Sequence, residues 1–100
     1  MGTPTVIAAG TYYTTIIAGG TVQTVGLNGS SQLGDSTTTE RHTFVQAQGI
    51  VGTPTAIAAG SLHTVVVAGG TVHSVGNNGY GELTNNDTTN RSTFVGATPF

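Results

Sequence analysis

The charged and imidazole side chains of this 100-residue chain are few: His42, His63 and His73, the carboxylates Asp35, Glu40, Glu82 and Asp87, and the guanidines Arg41 and Arg91. A metal centre needs ligands at a set spacing, such as two His four apart on a helix, and no two of these imidazoles have it. Hydrolysis by paired carboxyls needs two of them roughly 5 to 10 Å apart across a cleft. The four carboxylates fall instead in turn-rich stretches, two in each half of the chain. There is no nucleophile elbow and no phosphate loop. The sequence therefore reads as non-enzymatic, with no catalytic residue, no metal site and no cofactor. Glu40 beside Arg41 reads as a solvated loop pair, worth little.

The elements that carry these residues are written twice. GTPT occurs at Gly2 to Thr5 and again at Gly52 to Thr55, and about half the positions match at an offset of fifty. Two repeats are expected, 1–50 and 51–100, within one structural domain, since 100 residues suffice for one small core. In each repeat four segments are rich in apolar and β-branched residues: Val6 to Ala9, Tyr12 to Ala18, Thr21 to Val25 and Phe44 to Ala47, then Ala56 to Ala59, Leu62 to Ala68, Thr71 to Val75 and Phe94 to Ala97. These predict strands. Gly19 and Gly20, and Gly69 and Gly70, are two-residue spacers of the kind that close tight hairpins. Leu27 to His42 and Asn77 to Ser92 are long connections that Leu33 and Leu83 are expected to plug into the sheets.

The expected fold class is all-β: two four-stranded antiparallel sheets of the propeller-blade type. Propellers usually close with about four to eight blades, so two leave faces uncovered. A four-stranded blade presents roughly 300 Å² per face. At about 25 cal/mol per Å², leaving one wet forfeits up to roughly 8 kcal/mol, comparable with the stability of a small domain. A ring or filament completed by other copies is the expected outcome. Ile7, Ile16, Ile57, Val66 and Val75 are the residues expected to pack it, and Val66→Asp is expected to abolish assembly.

Composition bears on partners. Charged residues make up 6% of the chain, against about 25% in ordinary soluble domains. There is no Lys, and the net charge is -2, which leaves no electrostatic footprint for nucleic acid and little repulsion against self-association. No apolar run approaches the length of a membrane span, and the N-terminus has no signal-peptide pattern. The Thr-rich, Lys-free style is similar to that of secreted, cell-surface or viral structural proteins. Asn28, Asn86 and Asn90 head Asn-x-Ser/Thr sequons and are candidate glycosylation sites. Asn78 and Tyr80, at a loop tip, are candidate contacts to a protein or glycan ligand.

Certain motifs resemble a known family: AAG followed by HT within Ala58 to Thr64, GGTVHSVGNN from Gly69, GYGEL from Gly79, and in the first repeat GGTVQTVGLN from Gly19 and SQLGD from Ser31. These resemble the repeats of the regulator of chromosome condensation family across nearly the whole chain. The resemblance implies propeller blades of about fifty residues, a non-catalytic protein-interaction scaffold, and a structural role for His63, which stands at the family's usual His. The family's usual Trp is Val25 and Val75 here, and Ser31 replaces the first Gly of its GQLG turn. The leading reading is a structural repeat protein that self-assembles head-to-tail; the alternative is a protein- or glycan-binding propeller module, or an excerpt of a longer propeller.

Overall fold

A computed structural model describes residues 2–76 and 91–96. Its strands are β1 (Pro4–Ala9), β2 (Tyr13–Ala18), β3 (Thr21–Gly26), β4 (Arg41–Gln46), β5 (Pro54–Ala59), β6 (His63–Ala68), β7 (Thr71–Gly76) and β8 (Arg91–Gly96). They form two four-stranded antiparallel sheets, ordered β1-β2-β3-β4 and β5-β6-β7-β8. Short runs of Val, Ile, Thr and Tyr favour this pleated, half-buried geometry.

The central hairpin of each sheet is set by its glycines. Ala18 pairs with Thr21 across Gly19 and Gly20, whose φ angles are 59° and 77°. Two successive positive φ values make a type I′ turn, which matches strand twist and excludes most side chains. The GTPT motif completes the same device. A Cβ on Gly2 would lie 2.4 Å from Gly19 Cα, and one on Gly52 would lie 2.6 Å from Gly69 Cα. The motif glycine thus lets the incoming chain lie directly on the turn.

Most strand boundaries shift from the sequence reading by one to three residues, alike in the two repeats; three in the first repeat have a clear cause. β1 begins at Pro4, tolerated because the pairing with β2 is irregular between Pro4 and Val6 and the strand lies at the sheet edge. Tyr12, expected in a strand, has φ 66° and lies in the turn before β2. Arg41 and His42, expected in the connection, open β4, where Arg41 pairs with Gly26 across a bulge.

The core lies between the sheets. Ile17, Val22 and Ala47 of the first pack with Val66, Ala68, Val75 and Phe94 of the second, and Val6, Ile50 and Ile57 border them. Thr15, on the same face as Ile17, is buried with no hydrogen-bond partner for its hydroxyl among the described residues. The second sheet has Val65 at the corresponding position. Removing an unpaired buried hydroxyl while keeping its shape should stabilise by about 1 kcal/mol. Thr15→Val is therefore expected to raise the melting temperature by about 4–8 °C in a thermal unfolding experiment.

Candidate functional site

Tyr13, at the start of β2, is 3% exposed and crosses from the first sheet to the second. Its hydroxyl donates to Gly60 O at 3.1 Å and to His63 O, and Thr64 Oγ1 lies 3.2 Å away. Thr64 Oγ1 also donates to Gln32 O at 2.8 Å, while within the first sheet Thr24 Oγ1 donates to Leu33 O at 2.8 Å. The loop that carries Gln32 and Leu33 is thereby fixed between the sheets, with both side chains buried. Backbone bonds extend the seam: Gln48 N–H to Gly34 O and Phe94 N–H to Gln48 O, each 2.8 Å.

Burial pushes the Tyr13 phenol above its ordinary value. A phenol raised in the folded state contributes stability that is intact below the unfolded value of 10.0 and is lost as pH rises through the folded one. Melting temperature should fall above about pH 10. Tyr13→Phe should lose about 0.5–1.5 kcal/mol at neutral pH and weaken that alkaline dependence, because it removes the hydrogen bonding from the first blade to Gly60 O and His63 O together with the ionising group.

The loop after β3 is organised around Asn28, which is 1% exposed. Its Oδ1 accepts from Leu33 N–H at 3.0 Å, and its amide hydrogens are shared among Asp35 Oδ1 (3.0 Å), Thr37 O (2.9 Å) and Thr39 O (3.1 Å). A glycan needs that amide nitrogen free in solvent, so Asn28 is withdrawn as a glycosylation site. Asp35 Oδ2 accepts from Arg41 Nε at 2.7 Å. Burial alone would raise the Asp35 carboxyl, but hydrogen bonds from Thr37, Arg41 and Asn28 together outweigh it and hold the group below the usual range. The expected Glu40–Arg41 pair is replaced: Arg41 bonds Asp35, while Glu40 lies 3.4 Å from the exposed ring of His42.

His73 is buried, with Nε2 accepting from Val51 N–H at 3.3 Å and Nδ1 3.2 Å from Thr71 O, which assigns the proton to Nδ1. His63 is half-buried and lies over Gly60, where an added Cβ would stand 2.6 Å from its Cε1. No group of three His, Cys, Asp or Glu able to hold a metal occurs among the described residues. Glu82, Asp87, Leu83, Asn78, Tyr80, Asn86 and Asn90 lie outside the described residues.

The fifty-residue offset separates the two kinds of face. In the second sheet Pro54 and Val66 are buried against the first sheet, with Phe94 in the shared core and Ile57 at its border. Their counterparts in the first sheet, Pro4, Ile7, Ile16 and Phe44, line an apolar groove together with Thr5 and Val6. There Ile7 is 71% exposed, whereas Ile16 is 5% exposed on the groove floor. The reverse holds for the opposite faces. Ile17 and Val22 are buried, while Val67 and Val72 of the second sheet, at the same positions, are only half-buried. Val66 and Val75 thus belong to the internal seam. Asp at Val66 would injure the fold itself, so it cannot report on assembly as the sequence reading expects.

No protein-family model matches the chain, and no curated protein matches it. Solved structures do. The crystal structure of human WBSCR16 superposes with a TM-score of 0.80 at 19% identity, covering 93% of this chain and 25% of that one. Prp20p from Saccharomyces cerevisiae superposes with a TM-score of 0.79 at 19% identity, covering 98% and 26%. Yeast RCC1 (Prp20) bound to Kap60 gives 0.76 at 22%, covering 98% and 25%. The fold is that of RCC1-type repeats. The two sheets are RCC1-like blades, and the chain spans about a quarter of the length of these structures. The seam between the blades is built by residues that sequence reasoning did not single out, Tyr13, Gln32 and Thr64. The one available signal was Tyr13 standing where the second repeat has His63.

Proposed function

We propose that the chain is a non-catalytic structural module whose RCC1-like blades associate head-to-tail with further copies, as a closed ring or an open filament. The observation that carries this is the pairing of unlike faces inside the chain: the Ile17 face of one blade covers the Val66 face of the next. Among the described residues one face of each kind is left open, the Ile16 groove on the first blade and the Val67 face on the second. Unlike faces that complement each other make a heterologous contact, which closes into rings or runs on as filaments.

Residue sizes support a second copy as the occupant. Inside the chain Ile17 and Val66 share the core. Between copies the corresponding pair is Val67 with Ile16, the same two side chains exchanged. Cores tolerate volume-conserving exchanges best, so the contact between copies fills as the internal one does. Light scattering with negative-stain electron microscopy of the purified chain tests the reading. Discrete multimers or fibres are expected; a well-folded monomer at micromolar concentration would overturn it.

Protein binding is the second reading. Two solved structures of one neighbour favour it: Prp20p has binding properties toward Gsp1p and histones, and the same protein, yeast RCC1 (Prp20), is seen bound to Kap60. A non-self partner on the Ile7 groove would be captured by a chain that stays monomeric alone.

A further inference from the structure

The face of the first blade that meets the second and the equivalent face of the second blade place their ring residues alike but differ in the residue used, Tyr13 in one and His63 in the other. Inside, the Tyr13 ring lies over Gly10, where an added Cβ would stand 2.2 Å from Cε1. From there its hydroxyl reaches Gly60 O, His63 O and Thr64 Oγ1 of the next blade. On the open face of the second blade, His63 lies over Gly60 in the same manner. The surface it would meet on the next copy is the equivalent one: Gly10 O, Tyr13 O and Thr14 Oγ1. Thr14 is half-buried there, whereas Thr64 is fully covered.

Resting on the head-to-tail reading, we propose that His63 is the specificity- and strength-determining residue of the junction between copies, set on Gly10, Tyr13 and Thr14 of the following copy. The imidazole carries its nitrogens within the ring, while the phenol carries its oxygen beyond it. His63 therefore falls short of the carbonyl oxygens that Tyr13 reaches directly. The junction between copies is consequently weaker than the seam within a chain. Each chain holds its two blades together while copies remain able to exchange.

The test is assembly as a function of concentration, followed by light scattering at neutral pH, for wild type, His63→Tyr and His63→Phe, with thermal melts to establish folding. His63→Tyr is expected to shift the assembly midpoint to about tenfold lower concentration, the worth of one well-placed hydrogen bond. His63→Phe, with a ring but no polar atom, should not reproduce that gain. In the Ile7→Asp background, where the groove contact is removed, His63→Tyr should give less than its tenfold gain, and that non-additivity places the effect at the groove. The reciprocal change, Tyr13→His, should lower the melting temperature by weakening the internal seam. An assembling wild type with an unchanged His63→Tyr midpoint overturns the role of His63 alone. A monomeric wild type with an assembling His63→Tyr overturns the assembly reading of the natural chain and keeps the role. Folded monomers throughout overturn both.

Discussion

Ile7→Asp should leave the chain folded and remove it from the assembly. Ile7 pairs with Ile16 in the β1–β2 ladder, yet it is 71% exposed. Replacing it therefore takes little from the isolated chain beyond the strand preference of Ile over Asp, about 1 kcal/mol at most. In the proposed junction the second blade of another copy would cover this position, as Ile57 borders the core inside the chain. An unpaired carboxylate held there would cost several kcal/mol. The expected result is a melting curve within about 5 °C of wild type and an assembly midpoint raised by at least about 100-fold. Ile7→Leu, equal in volume and apolar, should assemble like wild type. An Ile7→Asp chain with unchanged particle mass would sink the groove as the contact.

Asn28→Ala is expected to be the most damaging single change in the first blade. It removes the acceptor for Leu33 N–H and the donor shared by Asp35, Thr37 O and Thr39 O in one step. Leu33 is fully buried, so its N–H has no water to turn to. Breaking a buried network of this kind costs roughly 2–4 kcal/mol, a fall in melting temperature of roughly 10–25 °C for a chain of this size. Asn28→Asp should be no milder. It keeps the Leu33 acceptor but sets a second carboxylate against Asp35 and leaves the two carbonyls unserved. A melting temperature within about 3 °C of wild type for either variant would refute the network as the organiser of the loop.

The strands are legible because their signal is local. Runs such as TTIIA and HTVVVA, each ending at a glycine pair, leave few alternatives to a tight hairpin, and both repeats carry the pattern. The shifted boundary at Arg41 has a tertiary cause: its guanidinium is held by Asp35, six residues earlier, and β4 starts sooner than the apolar pattern shows. Asn28 misleads for a similar reason. A sequon is a property of three neighbouring residues, whereas the burial of its first residue depends on a loop that closes back from Thr39. The seam is the least visible part. Tyr13, Gln32 and Thr64 have no shared spacing, and their meeting depends on the way one sheet stacks on another. The interchange of Tyr13 and His63 is visible in sequence, but its meaning needs the two carbonyls that Tyr13 faces.

The exchanged Ile and Val pairs have a consequence for errors of growth. In an array of such chains, a mispairing that set the first blade of one chain on the first blade of another would bring Ile17 against Ile16, one methylene too many. The complementary fault, second blade on second blade, would bring Val67 against Val66, one too few. Overfilling and underfilling each cost about 1 kcal/mol or more. In the proposed array, blades of the two kinds would therefore alternate in one order, and exchanging one chain's partner blade for a neighbour's would gain nothing.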